Sequence, residues 1–183
     1  ALELVRWGLD FHIPVWVIPP VRFRKKIVSS TVIRGLMEDG RFKTASEFLG
    51  HPYLISGRVV KGRGVGKGLG FPTANIQTRP EKILPRGVFA VRGSVQKKGQ
   101  RPEHAFEGVA NIGVRPTFGE ASRPVVEVHV FGEPGNLVGQ TMMVQLVKRI
   151  REEKRFPGVE ALKAQIAKDV RTAKTALEAA EKA

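Results

Sequence analysis

Glycines alternate with other residues at 62, 64, 66, 68 and 70, in Lys61-Gly-Arg-Gly-Val-Gly-Lys67-Gly-Leu-Gly70, and Phe71-Pro-Thr73-Ala-Asn75 follows at once. Glycine lets a backbone come close to a ligand and aim its amides into an anion-binding concavity, and Arg63 and Lys67 add charge, so the run has the chemistry of a phosphate cradle. It is not a P-loop. That motif would need Gly at 61 and Ser or Thr at 68, where this chain has Lys and Gly. On its own the run is equally what a flexible hairpin with incidental basic residues would show. Pro72 biases Phe71 towards extended backbone, where Thr73 and Asn75, two apart, share a face. Both can offer a neutral oxygen to a hard cation such as magnesium, which keeps several waters and takes its other ligands from a few protein groups and substrate phosphates. The bland alternative is a hydrogen-bonded Thr/Asn turn.

A second candidate is Pro124-Val-Val-Glu127-Val-His129-Val-Phe131. Period-two alternation sends Val126, Val128 and Val130 to one face and Glu127 with His129 to the other. Strands disfavour Glu and its burial is costly, so either that face is solvated or Glu127 has a task, for which general base is the natural one. The histidines at 12, 51, 104 and 129 show no metal-ligand spacing, and His129 reads as a sheet-face residue. Lys148-Arg-Ile-Arg151-Glu-Glu-Lys154-Arg-Phe156 is a charged connector that proves nothing alone.

The elements that must position these residues are mostly β. Leu54–Lys61, Gly87–Val95, Ala105–Ile112, Pro124–Phe131 and Thr141–Ile150 are short Val-rich runs separated by Gly, Pro and Asn, a spacing that suggests a small closed barrel. After them Val159, Leu162, Ile166, Val170, Ala173 and Leu177 recur every three or four residues, which predicts a long helix laid on the barrel by that stripe, with fraying final turns. Ahead of them, Phe11–Pro20 reads as a buried strand, Ser29–Glu38 as a hydroxyl-capped helix and Thr44–Leu49 as a short helix ending at Gly50. Residues 1–52 thus look like the tail of an α/β unit.

Length and composition limit what these parts can be. The chain has 183 residues, 42% hydrophobic and 26% charged, which rules against disorder and collagen and allows one full domain plus an appendage. Cys 0 removes disulfides, thiolate zinc sites, iron–sulfur clusters and cysteine nucleophiles. A net charge of +14 favours a polyanionic or phosphorylated partner without choosing one. No apolar run reaches the ~18 residues of a membrane span, and no signal-peptide layout opens the chain, so a cytoplasmic protein without a membrane partner is expected.

Taken in order and spacing, Gly62…Lys67-Gly-Leu-Gly-Phe-Pro-Thr-Ala-Asn75, Gly87-Val-Phe-Ala-Val91, Gly108-Val-Ala-Asn-Ile-Gly-Val-Arg-Pro-Thr-Phe118, Glu127-Val-His-Val-Phe131 and Ile150-Arg-Glu-Glu-Lys-Arg-Phe156 resemble the riboflavin kinase family, over 53–183. The resemblance implies a six-stranded antiparallel barrel with a C-terminal helix that transfers the γ-phosphate of ATP to the riboflavin 5′-hydroxyl, giving FMN and ADP. By motif, Gly62 and Lys67 would hold the ATP phosphates, Thr73 and Asn75 Mg2+, Glu127 would be the base, and Arg151 and Lys154 would lie beside the flavin or its new phosphate. Residues 1–52 are similar to the end of the FMN adenylyltransferase module of bifunctional FAD synthetases, with Ser29-Ser-Thr-Val-Ile-Arg34 matching its second nucleotide motif. That makes the expected fold mainly β, preceded by a short α/β remnant that by itself does not make FAD. One stretch departs from the family. An acidic, Tyr-containing segment usually follows the Glu strand, whereas here Gly132-Glu-Pro-Gly-Asn-Leu-Val138-Gly139 puts Val138 at the tyrosine position, so a ring contact to the nucleotide is lost. The rival reading is a basic barrel that binds RNA through stacking platforms such as Phe71 and Phe118.

Overall fold

The computed structural model describes residues 2–62, 64–79, 82–96, 104–114 and 124–182. Helix α1 (Leu2–Asp10) opens the chain, and the expected strand over 11–20 is instead irregular backbone. The reason is in the residues. Pro14, Pro19 and Pro20 supply no N–H for a ladder, and no described strand lies beside them, so Trp16 (86% exposed) and Ile18 (84%) stay in solvent. A two-stranded hairpin follows, β1 (Arg22–Phe23) against β2 (Lys26–Ile27).

Helix α2 (Ser30–Glu38) starts as its sequence predicts, with the Ser29 hydroxyl accepting from the Val32 N–H at 3.3 Å. Helix α3 (Phe42–Leu49) begins two residues before the expected Thr44 and stops where Gly50 turns left-handed at φ 76°. Ile33, Leu36 and Met37 of α2 and Phe42, Ala45 and Phe48 of α3 are buried in one cluster with the core of the barrel that follows.

The barrel comprises β3 (Leu54–Val60), β4 (Ala74–Thr78), β5 (Gly87–Gln96), β6 (His104–Val114), β7 (Pro124–Val130) and β8 (Thr141–Arg151), closed in the order β3-β4-β7-β6-β5-β8 with every pair antiparallel. Within the 61–73 connection between β3 and β4, one short helical turn, α4 (Val65–Gly68), interrupts the glycine run. Alternation works as expected: Ile76, Ala110, Ile112, Val126, Val128, Phe89 and Val91 fill the inside. Helices α2 and α3 close the end where β3 begins and β8 finishes. There Phe42 meets Phe89 edge-on at 5.7 Å, and Arg149 donates to the Glu38 carbonyl at 2.8 Å.

Helix α5 (Val159–Glu181) lies on the outside of the wall, packing Ala173, Ala176 and Leu177 on Val88, Ala90 and Val109. Its helical backbone runs to Glu181, and Val159 is 60% exposed, so the contact stripe starts later than its periodicity suggested. Over its first turns the helix stands off the wall. Leu162 and Ile166 line a cavity there, together with Val88 and Val109 of the strands.

Candidate active site

Residues directly opposite each other on antiparallel strands carry their side chains on one face, with Cβ atoms ~4.5–5.5 Å apart. The ladder registers Asn75↔Glu127, Glu127↔Asn111, Asn111↔Val88 and Val88↔Arg151 therefore form one row across β4, β7, β6, β5 and β8. Their strand neighbours Ile76, Val126, Val128, Ala110 and Ile112 point inward, so this row belongs to the outer wall, beneath α5. At strand spacings of ~4.8 Å the row is about 19 Å long, with Glu127 near one end and Arg151 at the other. Arg151 keeps that face because two bulges in β8 offset each other: Val91 pairs with Leu146 but Ala90 with Lys148, and Phe89 pairs with Arg149 but Val88 with Arg151, leaving Val147 and Ile150 as extra residues.

The glycine run is folded onto this row. A Cβ at Gly62 would land on the Asn75 carboxamide, and one at Gly66 would overlap the Phe71 carbonyl and come within 3.2 Å of the Thr73 hydroxyl oxygen. Only glycine lets the loop backbone lie against these two side chains. Gly64 (φ 75°) and Gly70 (φ 83°) make the left-handed turns that enter and leave α4. Asn75 is 7% exposed, whereas Thr73 is open to solvent.

Between wall and α5 lies a cavity of about 370 Å³, within the size range of small-molecule sites. Val88, Val109, Phe156, Leu162 and Ile166 make it apolar on one side, while Thr73, Asn111, Glu127 and His129 line the other, and Arg151, Glu153 and Lys154 close the connector end. The Arg151 guanidinium is committed: Nε donates to both Asp169 carboxylate oxygens at 3.0 Å and Nη2 to Oδ2 at 2.7 Å. Asp169, 3% exposed, also accepts from Gln165, so this is a buried pair whose partners neutralise one another. The Arg151 plane sits 5.6 Å from the Phe156 ring.

A family model described as "Flavokinase: Riboflavin kinase" matches residues 49–177. The chain belongs to the riboflavin kinase family. It is 44% identical over 147 residues to the bifunctional riboflavin kinase/FMN adenylyltransferase of Escherichia coli K12, covering 80% of this chain and 45% of that protein. It therefore spans about half the length of the curated relatives it matches. Among solved structures, riboflavin kinase from Trypanosoma brucei superposes with TM-score 0.50 at 27% identity, over 69% of this chain and 80% of that one. A Streptococcus pneumoniae structure titled as a macrolide-efflux protein superposes with TM-score 0.68 at 32% identity, over 89% of this chain and 52% of that one. No described helix here is long and apolar enough to cross a membrane.

Riboflavin kinases are ATP-dependent phosphotransferases, and the chain's candidate residues for that chemistry gather in one place: Thr73, Asn75 and Glu127 on the wall, Gly62 against Asn75, Arg151 and Lys154 at the cavity. Lys67 does not line the cavity; Gly66 and Leu69 of the same loop do. His129 is the sheet-face residue its alternation suggested, with Nδ1 2.9 Å from the Pro72 carbonyl oxygen and its ring edge-on to Phe71 at 5.4 Å. That contact half-buries Phe71, one of the two platforms of the RNA-binding reading; Phe118 lies outside the described residues. Val138 is 55% exposed on the 131–140 connection. Asn111 and Asp169 escaped the sequence reading. The available signals were an Asn in a Val-rich strand and an Asp interrupting an apolar helix stripe.

Proposed function

We propose that this chain transfers the γ-phosphate of ATP to the 5′-hydroxyl of riboflavin, releasing FMN and ADP, with Mg2+ as the metal. The observation that carries the reading is a single strand carboxylate, Glu127, flanked in register by Asn75 and lining a cavity whose other wall is apolar. An isoalloxazine ring suits the Val88, Val109, Leu162 and Ile166 surface, with Phe156 at its edge. Both substrates belong to the cytoplasm, and so does the protein on this reading.

Phosphoryl transfer leaves a protein little covalent work, so alignment and charge neutralisation dominate. The hydroxyl oxygen bonds to the γ-phosphorus as the bond to the β–γ bridging oxygen breaks, and the hydroxyl proton passes to the Glu127 carboxylate. Glu127 aims the nucleophile as well as accepting its proton. Backbone amides around Gly62 and the Lys67 ammonium hold the β and γ phosphates, a role that asks Lys67 to reach over the loop. Thr73 and Asn75 would hold the metal, two neutral oxygens being enough for an ion that fills its shell with water and phosphate oxygen, and when bound it offsets charge on the phosphoryl group. Arg151 is neutralised by Asp169 and on this reading packs against the flavin, leaving Lys154 as the cation for the new phosphate.

Residues 1–52 we assign to the end of an adenylyltransferase module. Adenylyl transfer needs a site at the carboxyl ends of a parallel sheet, and the described part of this segment holds one antiparallel hairpin. Chromatography of a reaction with riboflavin, ATP and magnesium is the test: FMN and ADP should accumulate without FAD. No FMN would reject the kinase reading, and FAD at a comparable rate would reject the assignment of 1–52. Asn75→Ala and Thr73→Val should raise the magnesium needed for half-maximal rate while leaving riboflavin binding unchanged.

A further inference from the structure

The row that puts Asn75 on one side of Glu127 puts Asn111 on the other, and Val88 beyond it. The order of chemistry along the wall is thus nucleotide side, base, carboxamide, apolar floor. An acceptor whose reacting hydroxyl is at Glu127 and whose ring system lies over Val88 and Val109 must carry the chain that joins them across Asn111. Asn111 is exposed and lines the cavity, although its apolar neighbours Val109 (8%), Ile112 (0%) and Val88 (3%) are buried and Glu127, opposite it on β7, is half-buried. A carboxamide offers one acceptor oxygen and two N–H donors, a match for hydroxyl groups, each of which donates and accepts. A charged side chain at this place would suit a phosphate or carboxylate; an aliphatic one would suit an unsubstituted alkyl chain.

We infer that Asn111 is a specificity-determining residue, whose carboxamide hydrogen-bonds the secondary hydroxyls of a polyol chain as it runs from Glu127 to the apolar floor. The inference rests on the riboflavin kinase reading and adds to it: the acceptor is recognised as a polyol, and a flavin with a plain hydroxyalkyl chain is discriminated against. A site built to bond substrate hydroxyls rejects analogues lacking them, because its own polar group is left unpaired.

The test crosses one protein group with one substrate group. Initial rates are measured for the wild-type chain, Asn111→Leu and Asn111→Ala, with MgATP and either riboflavin or a flavin carrying an unbranched 5-hydroxypentyl chain at the same ring nitrogen. The wild type should prefer riboflavin in kcat/KM by about tenfold or more, the scale of neutral hydrogen bonds left unmade. Both variants should lose about that factor on riboflavin, keep the analogue's kcat/KM within about twofold, and leave the KM for ATP unchanged. Equal losses on both substrates would mean that Asn111 acts through Glu127 or the fold, and would overturn the inference, as would unaltered discrimination. A wild type that phosphorylates neither flavin overturns the kinase reading itself, a result distinct from either of these. Because Asn111 is exposed, Asn111→Ala is expected to melt with the wild type, which keeps the comparison readable.

Discussion

Two stretches of the N-terminal 52 residues have opposite fates, and the more apolar of them is the exposed one. In 30–50, Ile33, Leu36, Met37, Phe42 and Phe48 are all buried, sharing a cluster with the barrel interior. In 2–21, Leu2, Leu9, Phe11, Trp16, Ile18 and Val21 are each at least 67% exposed. The difference does not lie in hydrophobicity. Helix α2 has its Ser29 cap and α3 its Gly50 stop, and both have one-sided stripes that meet the open end of the barrel, where Phe42 finds Phe89. The earlier stretch has three prolines in seven residues and folds back only on its own helix, Val15 lying over Gly8, with no side chain in either buried cluster of the barrel. Burial needs a partner surface as well as an apolar side chain.

The barrel itself sets the largest contrast, since its two faces divide stability from chemistry. Glu127→Gln is nearly isosteric and changes only the outer face, so kcat should fall by about 100-fold or more, the scale of a lost general base, while the melting temperature holds. Turnover near wild type would remove Glu127 from the reaction, and a matching loss of melting temperature would mean the residue serves the fold.

Met37→Ala tests whether α2 is one cooperative unit with the barrel. Met37 is fully buried, and truncations of that kind cost about 2–5 kcal/mol through lost transfer energy and the cavity left behind. At ~2–4 °C per kcal/mol for a chain this size, calorimetry should show a single transition moved down by several degrees. Two separated transitions would split α2 and α3 from the barrel.

How legible all this was follows from the kind of signal each part carries. Period-two alternation in Val126, Glu127, Val128 and His129 is a local rule, and inside and outside came out as it dictates. The Ser29 cap and the Gly50 stop are equally local. Counting by two from the buried Met142, Val144 and Leu146 puts Arg151 on the outer face, where it lies, but no local rule shows the two bulges, at Val147 and Ile150, that shift Lys148 and Arg149 to the opposite faces in between. Nor can spacing show that a buried Asp169, 18 residues on, consumes its charge. Phe11–Pro20 misled for the complementary reason: an apolar run states a need for burial and says nothing about whether it is met.

Tyr53 joins the end of the α3 segment to the approach of β5, its hydroxyl donating to the Ile83 carbonyl at 3.0 Å and accepting from the Ile83 N–H at 3.1 Å. Tyr53→Phe should cost about 1–2 kcal/mol, since both Ile83 groups lose a partner. Burial pushes the phenol above its ordinary value, outweighing the backbone hydrogen bond that pulls it down. A raised value in the folded chain means stability that is complete below the unfolded phenol's pKa near 10 and lost as pH rises through the folded one. The wild type should therefore weaken above about pH 10 relative to Tyr53→Phe, and parallel alkaline curves would detach Tyr53 from that loss.

The smallest effect is expected where the most apolar surface shows. Removing residues 2–21 takes away α1 and the whole irregular stretch, yet no side chain in it belongs to either buried cluster of the barrel and α5. Surface changes away from caps and cores stay within about 0.5 kcal/mol, so the shortened chain should melt within ~2 °C of the original and keep its kcat for riboflavin. Trp16→Ser, at a site 86% exposed, should do still less. What should change is association: exposed apolar patches larger than a few hundred Å² favour self-association, so the intact chain should elute earlier and more concentration-dependently from a sizing column than the shortened one. A fall of several degrees on truncation would show that 2–21 packs on the barrel after all, and the contrast between the two N-terminal stretches would collapse.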